Sequence, residues 1–177
     1  MHDLQKIARI CLDEVTAAGI TPGKISGFTI NRRLSRTWGR CVFNNATRIC
    51  TIEIQPFLLE DATPLDVLKN VLIHEILHTC WNCQNHGITW KAHADRINAR
   101  YGYNISRLVN AEEIAACKEA GTYQRKPRRA KEPARYVLEC MGCGQRIVRS
   151  RESAFVQCPS AYRCGICKGD HWKRTIL

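Results

Sequence analysis

The feature that most constrains this chain is a histidine pair and a glutamate set into a strongly apolar helix. Thr63-Pro64 opens that helix, with Thr63 placed to cap, Pro64 suited to the first helical position and Asp66 in the first turn. Val67, Leu68, Val71 and Leu72 then predict a buried segment running through His74-Glu75-Ile76-Leu77-His78. Two imidazoles and a carboxylate are costly in such surroundings unless they bind something. Four residues advance a helix by about 400°, so His74 and His78 share one face, about 6 Å apart along the axis. Two imidazoles so placed can hold one zinc ion at about 2.0–2.1 Å each. Glu75 points to the same side and is the candidate general base for a water that the metal acidifies toward a pKa of ~7. A triplet of fixed residues also arises by chance, and the apolar context is what raises it above chance.

Catalytic zinc takes three protein ligands and leaves one position open. His86, in Asn85-His86-Gly87, is the expected third ligand, because the glycine lets the chain turn back. His93 is the competitor, although it sits between Ala92 and Ala94 on the next helix; His2 and His171 lie near the ends. Cys80 and Cys83 form a CxxC between the histidines. Such a pair can bind metal or cycle between thiol and disulfide, but here it reads as two packed thiols beside the site.

Eleven cysteines in 177 residues need a second explanation. The Met1-His2-Asp3-Leu4-Gln5-Lys6 start has no apolar block behind it, so the expectation is a cytoplasmic protein with reduced thiols. Cys140-x-x-Cys143 and Cys164-x-x-Cys167 are two knuckles at the spacing of a structural four-cysteine zinc site. Cys158 has no partner at a suitable spacing, and Cys11, Cys41, Cys50 and Cys117 read as small buried apolar residues. The longest run without a charged residue is Ile76–Trp90, 15 residues with several polar side chains, too short and too polar to cross a bilayer.

The remaining pattern places these motifs in an α+β protein. Residues 2–18 form an amphipathic helix with Leu4, Ile7, Ala8, Cys11, Leu12 and Val15 on one stripe. Short strands follow at Ile25–Ile30, Trp38–Phe43 and Arg48–Ile54, the last two joined by a turn at residues 44–47. A helix with Trp90, Ala94, Ile97 and Tyr101 on one stripe follows Gly87. Asn110 and Glu113 pair as a cap for a short helix to about Ala120. This gives a domain over residues 1–120, a basic linker over 121–134 and a metal-dependent module over 135–177.

Charge separates these parts. Residues 1–120 carry 14 basic and 12 acidic side chains, whereas residues 121–177 carry 13 basic and 4 acidic. A basic module of this kind favours polyanions. The densest positions are Arg125, Lys126, Arg128, Arg129 and Lys131, with Arg146, Arg149 and Arg151 beyond them. No base-reading motif accompanies them, so DNA contact through phosphates, with nucleoid association, is the expectation.

The HEILH run, with NHGITWKAHADRIN and YGYNI after it and Trp38-Gly39-Arg40-Cys41 and Ile49–Ile54 ahead of it, resembles the SprT-like (Spartan-type) zinc metallopeptidases. The likeness covers roughly residues 5–110, and the family's C-terminal zinc ribbon extends it. It implies a zincin-like minimal metallopeptidase domain of helices on a small sheet. It also implies His74, His78 and His86 as catalytic zinc ligands and Glu75 as the catalytic residue. The activity it implies is cleavage of protein substrates near DNA, with processing of DNA–protein crosslinks. Under this reading Ile49–Ile54 is the cleft edge that aligns an extended substrate. The competing reading is a non-catalytic zinc-ribbon protein that binds nucleic acid, for example in transcription. A nuclease is disfavoured by the lack of a carboxylate cluster.

Overall fold

Helix α1 (Leu4–Ala17) buries Leu4, Ile7, Ala8, Cys11 and Val15, and Asp3 caps it by accepting from the Lys6 backbone N–H at 3.1 Å. The stripe is the one its three- and four-residue spacing predicts. The computed structural model describes residues 1–124 and 132–177. The chain divides into two compact units, Met1–Lys126 and Pro127–Leu177. Half of the expected linker, residues 125–131, therefore lies outside the described residues, including Arg125, Lys126, Arg128, Arg129 and Lys131.

In the first unit, β1 (Ile25–Ile30), β2 (Gly39–Asn44) and β3 (Ile49–Ile54) form one sheet in the order β1-β3-β2. β2 and β3 are an antiparallel hairpin, with Gly39 opposite Ile54 and Asn44 opposite Ile49. The Asn44 side chain closes the turn by accepting from the Ala46 and Thr47 backbone N–H groups at 2.9 and 3.1 Å. β1 pairs parallel with β3. Cys50, Ile52 and Ile54 are buried and the residues between them are not, as strand alternation requires.

This topology corrects one expectation. β3 is the central strand with both edges paired, so it cannot be the edge that receives a substrate. The strands with an open side among the described residues are β1 and β2.

Helix α2 (Leu65–Leu77) packs against α1, β2, β3 and α3 (Ile88–Tyr101). It is buried on nearly every face, from Val67 to Leu77. Its start also differs from expectation. Pro64 is the N-cap residue rather than the first helical one. Thr63 does not cap; its buried hydroxyl donates instead to the Phe57 carbonyl at 2.7 Å. That carbonyl belongs to the 3-10 turn Pro56–Leu59. α2 closes at Leu77, with His78 as a C-cap still in helical torsion, so the four-residue geometry between His74 and His78 survives.

α3 ends at Gly102, whose φ of 70° is a left-handed conformation that suits glycine and turns the chain back across the domain. α4 (Ala111–Glu119) opens with the full Asn110–Glu113 capping box.

The second unit is built from β4 (Tyr136–Cys140), β5 (Arg146–Arg149) and β6 (Trp172–Ile176), an antiparallel sheet in the order β5-β4-β6, with one short helix α5 (Ala154–Gln157). Its buried residues are few: Val137, Leu138, Cys140, Val156 and Cys164. Phe155 packs edge-on against Tyr162 and Trp172. A core of that size does not sustain a fold of about 50 residues without a staple. The whole is thus an α+β chain with a C-terminal cysteine cluster compatible with a zinc ribbon. No helix among the described residues is long and apolar enough to cross a membrane.

Ile52, fully buried on the central strand, is the sharpest test of this core. Ile52→Ala is expected to cost roughly 2–5 kcal/mol in urea unfolding. Val42→Ala, on the exposed side of β2, is expected to stay within about 0.5 kcal/mol of the parent.

Candidate metal centre

Helix α2 delivers His74 and His78 from its last turn, and the loop before α3 delivers His86. Their donor atoms all lie within 4.8 Å of one another. Nε2 of His74 is 3.3 Å from Nε2 of His78 and 3.0 Å from Nε2 of His86. Tetrahedral zinc with bonds of about 2.0–2.1 Å separates its nitrogen ligands by about 3.3–3.4 Å.

The far side of each ring fixes its proton. His74 Nδ1 lies 2.9 Å from the Ser106 carbonyl, and His78 Nδ1 lies 2.7 Å from the Cys83 carbonyl. A carbonyl oxygen only accepts, so both rings donate from Nδ1 and, when neutral, present bare lone pairs at Nε2. Two bare nitrogens at 3.3 Å cannot hydrogen-bond to each other and repel. A cation between them converts that repulsion into ligation, so this donor set fits zinc. Burial pushes the His74 pKa down to about 4, with the neighbouring His78 charge adding to it. His86 is also lowered, by burial and then by His78 and Arg107. Both are therefore held in the neutral form that binds metal.

Trp90, on the first turn of α3, floors the cluster. Its ring centroid is 4.8 Å from that of His74, 5.8 Å from His78 and 4.6 Å from His86, and the residue is almost wholly buried. The helical stripe marked Trp90 as a core residue; that it packs against all three imidazoles is legible only in three dimensions.

Glu75 is 8% exposed. β2 crosses directly over it, and Gly39 makes this approach possible. A Cβ at position 39 would lie 2.8 Å from the Glu75 Cγ and 2.9 Å from its Oε1. Two residues on, the Cys41 backbone N–H is close enough to the Glu75 carboxylate to favour its charged form. Burial nevertheless pushes the carboxyl pKa up to about 7, against the influence of the Cys41 amide; the positive charge of a bound ion would oppose the rise. Sequence reasoning did not assign Gly39 or Cys41 a role, and the only signal was their place in the Trp38–Cys41 segment.

The other candidates fall outside. His93 is half-buried, does not join the cluster, and its Nδ1 has no hydrogen-bond partner among the described residues. His2 Nε2 lies 2.9 Å from the Thr63 carbonyl, and His171 pairs with Asp170 at 2.6 Å. Cys80 and Cys83 are buried free thiols. Cys83 serves the site with its carbonyl, through His78, and not with its sulfur. Among the four cysteines read as buried apolar residues, Cys41 is only half-buried.

In the second unit, the Cys140 and Cys167 Sγ atoms are 3.4 Å apart and those of Cys143 and Cys164 are 3.6 Å apart; all four lie within 4.8 Å. Zinc–sulfur bonds of about 2.3 Å in a tetrahedron place sulfurs about 3.8 Å apart. The Cys167 and Ile166 backbone N–H groups hold the Cys164 thiol down to about 6, favouring the thiolate that ligates metal. Cys158 is exposed and stands outside the cluster.

An open three-histidine centre beside a buried glutamate, on a helix-and-sheet unit, defines a zinc metallopeptidase-like domain. The model of the SprT-like family matches residues 12–109, more than half of the chain. The chain belongs to the SprT-like family. No curated protein matches it.

In metal-free protein, the Glu75 carboxyl carries a stability signature. Its folded pKa of about 7 stands above the ordinary 4.5. The stabilising protonation is therefore complete below pH 4.5 and lost as pH rises through 7. Glu75→Gln is expected to stabilise the first unit at pH 8 by about 3 kcal/mol relative to its effect at about pH 4.5. Amide hydrogen exchange of residues 1–124 in chelator measures this difference.

Proposed function

We propose that this chain is a zinc-dependent endopeptidase acting on protein substrates, with a zinc ribbon that brings it to DNA. The observation that carries the reading is the pair of bare Nε2 atoms on His74 and His78, joined by His86 and adjacent in sequence to the buried Glu75. His74, His78 and His86 would hold the catalytic ion, which supplies Lewis-acid polarisation of a peptide carbonyl and acidification of water. Glu75 accepts the proton of the attacking water and passes it to the leaving amine. Its high intrinsic pKa suits it to hold that proton between the two transfers. The close packing of β2 at Gly39 keeps the carboxylate in place during both.

The substrate edge is β2. It has an open side among the described residues, and its Gly39 and Cys41 meet Glu75. An extended peptide pairing with β2 would run past the catalytic carboxylate.

A purely structural site is disfavoured by the ligand count. Structural zinc is closed by four protein ligands, as the Cys140–Cys143–Cys164–Cys167 cluster is arranged to do, whereas the histidine cluster offers three. Two zinc ions per chain follow, one catalytic and one structural. His74→Ala is expected to remove one and abolish peptidase activity while the ribbon stays folded. Cys140→Ser is expected to remove the other and unfold residues 136–177. Metal analysis alongside ribbon amide spectra checks both, and one zinc in folded wild type would defeat the two-site reading.

Glu75→Gln is expected to keep its zinc and fold while turnover of casein drops by several orders of magnitude, because an amide cannot accept the water's proton. Activity within about tenfold of wild type would remove Glu75 from this role.

DNA contact rests on the basic C-terminal third. Among its described residues, Arg146 and Arg149 are exposed on β5. Arg151 is less available, since its guanidinium forks onto both Glu132 carboxylate oxygens at 3.0 Å. Removing residues 121–177 is expected to abolish DNA binding and leave residues 1–120 holding their zinc. A salt titration should show binding that weakens steeply with salt and varies little with sequence. Equal affinity of the full chain and the truncation would make the tail a protein-docking element. Cleavage of DNA-crosslinked proteins is the substrate class that this combination of peptidase and basic ribbon favours.

A further inference from the structure

We infer that Asn98 is a positioning residue for the histidine centre, acting through the backbone of residues 105–106. The inference rests on the zinc-site reading above and adds a residue to it. Asn98 lies on α3 and makes no hydrogen bond to a ligand histidine. Its side-chain amide instead clamps Ile105 from both sides: Nδ2 donates to the Ile105 carbonyl at 3.0 Å, and Oδ1 accepts from the Ile105 N–H at 2.8 Å. This is the pairing one strand residue gives another, supplied by a side chain. The next carbonyl along the chain, that of Ser106, receives the Nδ1–H of His74.

The segment needs such a clamp. Residues 102–109 leave α3 through the left-handed Gly102 and have no regular secondary structure. Asn98 also holds that exit, since its own carbonyl accepts from the Gly102 N–H at 2.9 Å. A second amide supports the same segment from α2. Asn70, one turn before His74, is a buried polar residue whose Oδ1 faces the Asn104 N–H at 3.4 Å. Its Nδ2 donates to Glu113 at 2.7 Å, within the capping box of α4. Ile105 itself is buried, so a lost partner for its N–H or carbonyl is not replaced by solvent. The tautomer of His74 is thus set by a carbonyl whose position depends on Asn98.

The test compares wild type, Asn98→Ala and Asn98→Asp in the full chain. Asn98→Asp retains the acceptor for the Ile105 N–H and loses the donor. Zinc is titrated against a competing chelator, and the ribbon zinc serves as an internal control. In metal-free protein, nitrogen-detected NMR of the histidine rings follows the His74 Nδ1–H. The expected result is a loss of affinity of about 10–100-fold at the histidine site for Asn98→Ala, a smaller loss for Asn98→Asp, and no change at the ribbon. The protected His74 Nδ1–H signal should fade in the same order. Wild-type affinity and an intact Nδ1–H signal in Asn98→Ala would overturn the inference. So would equal weakening at the ribbon, which would mark a general loss of fold. Should Asn98→Ala not fold, the Asn98→Asp comparison decides by the same two readouts. Absence of histidine-bound zinc in wild type would overturn the peptidase reading instead, and the Nδ1–H signal would still decide whether Asn98 positions His74.

Discussion

Two backbone carbonyls decide what the histidine cluster can be. Ser106 and Cys83 each take an Nδ1 proton, and that leaves His74 and His78 with lone pairs aimed at each other across 3.3 Å. Without those acceptors either ring would be free to adopt the other tautomer, and a weak hydrogen bond would satisfy the pair. The loops carrying the carbonyls are therefore as much a part of the centre as the helix that carries the rings. One is the tight Cys80–Cys83 turn after α2; the other is the segment held by Asn98 and Asn70.

The environment of α2 supplies the remaining constraint. A helix buried on nearly all faces gives Glu75 little water. The carboxyl is then poised between its two protonation states near neutral pH, and the burial that raises its pKa also opposes folding of the metal-free protein once it is charged. Position 39 has to be glycine for β2 to close over it, since even one methyl group would reach the carboxylate. Shape and electrostatics are coupled here. The strand that packs over Glu75 is also one of the two with an open side among the described residues.

The two candidate metal clusters differ in how their surroundings would use an ion. The cysteine cluster offers four soft donors in a unit with few buried apolar side chains, where a bound ion would staple the fold. The histidine cluster offers three donors and sits on a core that contains α1, α2, α3 and the sheet, so an ion there would not be needed to supply the core.

Local sequence determined much of this protein. The spacing of His74 and His78, the two cysteine knuckles, the stripe of α1, the Asn110–Glu113 cap and the alternation of β3 are all set by residues within a few positions of one another, and helical and strand periodicity expose them. Tertiary structure decided what depends on distant segments meeting. The parallel pairing of β1 with β3 made β3 central and left the open sides to β1 and β2 among the described residues. The approach of Gly39 to Glu75 spans 36 positions, and the Ser106 carbonyl reaches His74 across 32. No periodicity connects such positions, because a hydrogen bond between a side chain and a distant backbone carbonyl asks nothing of the identity of the residue that supplies the carbonyl.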